Sequence, residues 1–259
     1  MDREALSYRR DELALELREE ITLDGLTRDF FIYQRRRGHR HSTDDLVTAW
    51  YAVAHAPPKP SRLLDLGSGI GSVGLSVLWK FPEASLTAIE VQELSFALLR
   101  ENIRGNALEG RVTAIHGDLR QFNSAMRFEL ITGSPPYFDV RDGIVSGDSQ
   151  RAAARFELHG DVNDYCAAAA RSLAPGGRFI FCFPTAQTAR ARNACSGAGL
   201  RLLAMRDVVP RASLAPLFSL FACALEADAE TVVEPPLYVR DEGGVRTAEM
   251  ESVRATFGF

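Results

Sequence analysis

LLDLGSGIGSVGL, residues Leu63–Leu75, decides the fold. The apolar run LLDL reads as a short strand. It breaks at Gly67, Gly69 and Gly71, and SVGL then opens a helical pattern. Glycine supplies positive φ and lets a ligand approach the backbone closely. The N-terminus of the following helix offers free N–H groups to a carboxylate or phosphate. The spacing is G-x-G-x-G rather than the G-x-G-x-x-G of dinucleotide sites. Taken alone, such a turn suits many nucleotide ligands, and a plain tight turn is the alternative.

Outward from this stretch the chain alternates. SLTAIE, RVTAIHGD, RFELITGS and RFIFCFP read as strands. QELSFALLRENIRGN, DVNDYCAAAARSLAPGG and AQTARARNACSGAG read as helices between them, the second closed by glycine. LRLLAMRDVV and LFSLFACALEA are two late strands joined by PRASLAP, too short for a parallel crossover, so this pair is expected to be antiparallel. The pattern predicts an α/β protein with a Rossmann-like, doubly wound, seven-stranded sheet, mostly parallel with an antiparallel last strand.

Before this core, residues 1–20 read as a charged surface helix. ITLDGLTRDFFIYQ reads as a hairpin turning at Asp24-Gly25. Thr43 is expected to cap a helix over DDLVTAWYAVAHA, and PPKP ends it. Residues 1–57 are therefore expected to form an N-terminal extension and cap, and residues 58–259 the main domain.

The 259 residues are 46% hydrophobic and 25% charged, the composition of a globular protein with a real core. No apolar run is long enough to span a bilayer, and the charged start is unlike a signal peptide. The expected compartment is the cytoplasm. Cys166, Cys182, Cys195 and Cys223 form no C-x-x-C pair, so neither a disulfide framework nor a metal site is expected. A net charge of −4 excludes coating of nucleic acid by bulk charge. One local exception is YQRRRGHRH, Tyr33–His41, with four arginines and two histidines.

Two carboxylates stand at strand ends and a third inside a strand. Glu90 lies about 20 residues beyond the glycines, where an acid accepts from both hydroxyls of a ribose. Asp118 in HGDL is positioned to receive the amino group of an adenine, or to act as a turn former. Asp65 stands inside the first strand, where a buried carboxylate requires donors or a cation. A ligand with ammonium and sulfonium groups suits it; a pyrophosphate is repelled.

TGSPPYFD, Thr132–Asp139, ends the fourth strand, on the side where open α/β sheets bind ligands. Pro135 and Pro136 have fixed φ and no N–H, so they form a stiff rim. The Ser134 hydroxyl and Pro135 carbonyl are acceptors, and Tyr137 offers a flat ring. Two acceptors beside an aromatic plate suit a planar group bearing NH₂. Such acceptors also stabilise positive charge developing on nitrogen. With an activated methyl donor, alignment supplies most of what the transfer needs.

LLDLGSGIGSVGL, IEVQ and GDL, in this order, resemble the successive cofactor motifs of class I S-adenosylmethionine (SAM)-dependent methyltransferases. SPPY resembles the Asn/Asp/Ser-Pro-Pro-Tyr/Phe/Trp motif of their amino-group-modifying members, with Ser134 where Asn is commoner. The outer segments LDGLTRDFFIYQ, GHRHSTDDLVTAWYA and AAARFELHGDVNDYCAAAARSLAPGG resemble the bacterial tRNA1(Val) adenine-37 N6-methyltransferases. The tail PPLYVRDEGGVRTAEMESVRATF resembles their closing strand, acidic-Gly turn and short helix. The resemblance implies SAM as cofactor, held by Gln34, Thr43, Asp44, Asp65, Gly67, Gly69, Gly71, Glu90, Val91, Asp118, Leu119 and Ser134. It implies catalysis by Ser134, Pro135, Pro136 and Tyr137 on an adenine N6 of a structured RNA, tRNA foremost. Arg35, Arg36, Arg37 and Arg40, with Tyr137, are the expected RNA contacts, helped weakly by His39 and His41 and by Arg151 and Arg155. The loop Phe138–Gln150 is expected to act as a lid. A glutamine N5 on a protein, a small-molecule amine, and a non-catalytic SAM-binding RNA module are the competing readings.

Overall fold

The computed structural model describes residues 3–138, 150, 156–225 and 230–259. At the centre of the main sheet lies β3 (Arg62–Leu66). It pairs in parallel with β4 (Ser85–Glu90) on one side and β6 (Phe128–Gly133) on the other. β5 (Val112–His116) extends the β4 side. β7 (Leu173–Pro184) extends the β6 side. The chain thus winds first one way and then the other from β3. This reversal opens a crevice outside the carboxyl ends of β3 and β6.

β9 (Phe218–Ala224) inserts antiparallel between β7 and β8 (Arg201–Val209). The predicted antiparallel pair is therefore β8–β9. Among the described residues the sheet carries eight strands rather than seven. Val232–Tyr238, β10, adds parallel to β8 at the edge. Its Pro235 and Pro236 fall in a register shift between Glu234 and Leu237, and an edge tolerates residues that cannot donate to the ladder.

Strand residues alternate between two apolar layers. Phe179, Phe181 and Phe183 of β7 face α5 (Val162–Ser172) and α6 (Thr188–Gly197). Ile180 and Cys182 face the layer that contains α2 (Thr43–His55), α3 (Ser72–Lys80) and α4 (Glu93–Gly105). α7 (Ala248–Thr256) joins this layer through Met250 and Val253. All four cysteines are free and buried.

The N-terminal helix α1 spans Arg3–Leu17. The hairpin is present, but its turn is not at Asp24-Gly25. β1 (Ile21–Gly25) runs through that pair to β2 (Phe31–Arg35), and Phe30 O receives the Leu26 and Thr27 N–H groups. The Asp24 carboxylate is instead held by Thr22, Gln34 and Arg40. Asn102 of α4 bridges the hairpin to the glycine loop. Its amide accepts from Tyr33 N–H at 2.6 Å and donates to Ile70 O at 2.8 Å. Ser42, not Thr43, caps α2, with the Asp45 carboxylate accepting from the Ser42 N–H at 3.0 Å. α5 stops at Ser172, short of the glycines, because Pro175 cannot continue a helix. β7 begins directly at Leu173.

Candidate active site

Between β3 and α3 all three glycines adopt positive φ: +62° at Gly67, +57° at Gly69 and +93° at Gly71. A side chain at Gly67 is excluded twice over, since its Cβ would lie 2.0 Å from Tyr165 Oη. A Cβ at Gly69 would meet nothing within 4 Å, so this peptide faces open space. Gly71 is the N-cap of α3.

Glu90 ends β4 and is only 6% exposed. Its two oxygens accept from Gly69 N–H and Gln92 N–H, each at 2.7 Å. The carboxylate thereby shapes the glycine turn and the turn after β4 together. Burial pushes its carboxyl up, partly offset by these N–H groups. Asp65 is 2% exposed. One oxygen accepts from Thr132 Oγ1 at 2.6 Å and the other from Gly74 N–H at 3.2 Å. Burial outweighs those donors and raises its carboxyl to about 6.

One cleft collects Asp65, Gly67, Gly69, Glu90, Val91, Leu119, Ser134 and Pro136 from the sequence-predicted set. His159 and Tyr165, which sequence reasoning did not assign, also line it, as do Asp45, the last residue of the STDD run at the start of α2, and His39, an expected weak RNA contact. Gly71, Asp118, Pro135 and Gln34 border neither this cleft nor the chamber described next. Asp118 is turned onto Arg120, whose hydrogen bonds hold its carboxyl below the usual range. Gln34 is buried and braces two loops, donating to Asp24 at 2.9 Å and accepting from His41 N–H at 2.8 Å.

The SPPY segment is a partition. Ser134 and Pro136 face the cleft, whereas Tyr137 faces a second chamber with Thr43 and Asp44. Cys182 of β7 lies under the partition, its Sγ 3.6 Å from Ser134 Oγ and 3.4 Å from Tyr137 Oη. Tyr137 O accepts from Gln187 Nε2 at 2.7 Å, and its ring meets Phe183 edge to face. Burial and the adjacent Asp45 charge raise the Asp44 carboxyl. The adjacent acids Asp44 and Asp45 thus serve different chambers.

The arginine cluster divides. Arg35 is buried and paired with Glu19 at 2.8 Å. Arg40 is tied to Asp24 at 3.1 Å, and Arg36 pairs with Glu20 at the surface. Arg37 is exposed and has no ion pair among the described residues. Arg151, Arg155 and all but the two ends of the expected lid lie outside the described residues. At one of those ends, Gln150 is buried, accepting from Arg35 at 3.2 Å and donating to Ser95 Oγ at 3.2 Å. Among the described residues no group of three or more His, Cys, Asp or Glu is arranged to hold a metal ion. No helix there is long and apolar enough to cross a membrane.

Residues 49–191, more than half of the chain, match the methyltransferase small domain family. The chain belongs to that family. In this methyltransferase small domain the match covers the glycine turn, Glu90, SPPY and β7. Two curated relatives are similar over more of the length. The tRNA1(Val) (adenine(37)-N6)-methyltransferase of Dyadobacter fermentans is 27% identical over 84% of this chain and 89% of its own. That of Haemophilus influenzae (strain PittEE) is 30% identical over 62% of this chain and 69% of its own. The crystal structure of a predicted O-methyltransferase, protein Atu636 from Agrobacterium tumefaciens, superposes with a TM-score of 0.63 at 18% identity, covering 83% of this chain and 96% of that one. That likeness establishes the methyltransferase fold.

Proposed function

We propose that this methyltransferase small domain transfers the methyl group of S-adenosylmethionine to the exocyclic N6 of an adenine in a structured RNA, tRNA foremost. The observation that carries this reading is the partition: the acceptor Ser134 borders the glycine-turn cleft while Tyr137 borders the adjoining chamber. The two named relatives support the choice of adenine and tRNA.

The residues of the cleft fit the cofactor. Asp65 presents a buried carboxylate to the cleft, where Thr132 and Gly74 donate to it, and a carboxylate there has a use for an ammonium group. Gly69 leaves room above its peptide. Glu90 is assigned to the ribose hydroxyls, with Val91 and Leu119 as flanking walls. SAM supplies an electrophilic methyl on a sulfonium. The chain's own part is alignment and charge stabilisation. The Ser134 hydroxyl, which borders the cleft, accepts a hydrogen of the amine and helps aim its lone pair, while Pro135, which borders neither cavity, stiffens the rim. The same hydroxyl stabilises the positive charge that grows on nitrogen. Tyr137 supports the ring. The excess proton leaves to solvent after transfer.

Residues 1–57 are assigned as the cap over the cofactor. Asp45 and His39 reach the cleft from this segment, and Asn102 fastens the hairpin to the glycine loop. Gln34 and Arg35 act there as braces rather than ligands.

The test is methyl transfer from labelled SAM to total tRNA of a host lacking this protein, followed by nucleoside analysis. Label in N6-methyladenosine is the expected result. Label only in protein would replace the reading with glutamine methylation, and label in no acceptor would overturn it.

A further inference from the structure

The second chamber carries a feature that the cofactor cleft does not explain. Its volume of about 410 Å³ falls within the roughly 300–1,000 Å³ range of ligand pockets. Tyr137 and Asp44 form its inner wall, and the loop between β8 and β9 supplies its outer lip. On that lip Leu214 and Leu217 are 56% and 61% exposed. Arg211 joins them from the same loop, and Arg240 from the turn after β10. Backbone pairing ties the two loops together, with Ala212 N–H donating to Arg240 O at 3.1 Å.

The two guanidinium groups converge on one glycine. Arg240 donates to Gly244 O at 2.6 Å, and the Arg211 Nη2 lies 3.4 Å from where a Gly244 Cβ would stand. Gly244 has φ +83°, a conformation that favours glycine and turns the chain tightly here. Among the described residues neither arginine forms an ion pair with a carboxylate. The nearby Asp241 carboxylate accepts from the Val245 N–H. Two like charges brought together without an ion pair of their own, beside exposed apolar side chains, suit an anion carrying a flat apolar group.

We infer that Arg211 and Arg240 grip the backbone phosphates of the RNA beside the methylated adenine, with Leu214 and Leu217 against the adjoining base and Tyr137 at the inner end of the path. The inference rests on the RNA reading of the site. It also moves the main cationic contact away from the Tyr33–His41 cluster, where Arg35, Arg36 and Arg40 already pair with Glu19, Glu20 and Asp24.

The experiment measures binding of unmodified tRNA by fluorescence anisotropy across a potassium chloride series, with S-adenosylhomocysteine present. It compares the full chain with the double variant Arg211→Ala/Arg240→Ala and with Arg211→Lys/Arg240→Lys. Two lost phosphate contacts are expected to flatten the slope of log K against log salt by about 1.5. Affinity at low salt should fall at least tenfold, while S-adenosylhomocysteine affinity and melting temperature stay unchanged. The lysine pair should keep most of the slope. An unchanged slope in the alanine variant, loss of binding in step with loss of melting temperature in both variants, or no RNA binding by the full chain would each overturn the inference. The readout needs no methyl transfer. A chain that binds tRNA with the expected slope yet leaves it unmethylated would sink the proposed reaction and leave the phosphate grip standing.

Discussion

Thr132 of β6 and Asp65 of β3 are register partners on adjacent parallel strands, and the threonine hydroxyl donates to the aspartate carboxylate at 2.6 Å. The pair sits beneath the cleft, at the point where the winding of the sheet reverses. It fixes the direction of one carboxylate oxygen while burial opposes its ionisation. A cofactor ammonium group would favour the ionised form.

Cofactor affinity should therefore depend on pH through Asp65. Burial raises this carboxyl to about 6. Affinity for S-adenosylhomocysteine, measured by titration calorimetry, should be level above that value. Below it, affinity should weaken by up to about tenfold per pH unit. Thr132→Val, which removes the donor, should move the break to higher pH. A flat profile between pH 5 and 8 would remove Asp65 from the ammonium site.

The same group makes a stability prediction of the opposite sense. Its folded pKa lies above the ordinary 3.8, so its contribution is fully present below about pH 4 and is lost as pH rises through about 6. A carboxyl held near 6 costs the cofactor-free fold on the order of 3 kcal/mol above pH 7. The stability of the native chain relative to Asp65→Asn should accordingly decline across that window in urea titrations and level off beyond it. A constant difference from pH 4 to 8 would contradict the burial argument.

Tyr137 borders the second chamber rather than the cofactor cleft. Tyr137→Ala should lower kcat at least tenfold while S-adenosylhomocysteine affinity changes less than twofold. Tyr137→Phe should be mild, because the hydroxyl contacts only a weak thiol partner, Cys182 at 3.4 Å, and the Asp44 carboxylate at a long 3.5 Å. Equal loss of turnover and cofactor affinity in Tyr137→Ala would refute the assignment of this ring to the acceptor side.

Gly67 is where a methyl group does most damage. At φ +62° its Cβ would stand 2.0 Å from Tyr165 Oη. Gly67→Ala should lose about 1–2 kcal/mol from backbone strain alone, and most cofactor affinity as well. Adding Tyr165→Phe removes the nearest atom and should restore part of both. If the second substitution deepens the loss, the clash is not the cause.

The central fold was open to reading because its signals are local. Leu63–Leu66 and the three glycines announce a strand, a turn and a helix within one stretch of chain. The antiparallel β8–β9 pair followed from the short connection alone. The errors came where tertiary contacts decide. Asp24-Gly25 has the composition of a turn, but Thr22, Gln34 and Arg40 hold the Asp24 side chain within a strand. The resemblance of the tail implied a closing strand at PPLYV, but the seven strands read from the pattern left it out of the sheet; with its two prolines it pairs at the edge. At the site, Gly67, Gly69 and Glu90 were legible from their spacing. Asp45 had a visible signal as the last member of the Ser42–Asp45 cap. Tyr165 and Cys182 had none, since their approach depends on α5 and β7 folding over the same turn. Charge in a sequence does not reveal its partners: Arg35 and Arg40 pair with Glu19 and Asp24, which the fold brings back beside them.

The account depends on one cleft and one acceptor chamber meeting at the partition Ser134–Tyr137. A crystal structure with S-adenosylhomocysteine tests this most directly. The account predicts that the amino acid portion lies near Asp65, the ribose near Glu90, and the sulfur toward Ser134 with an open path to Tyr137. A sulfur turned away from Ser134, with protein closing the path to the second chamber, would contradict it.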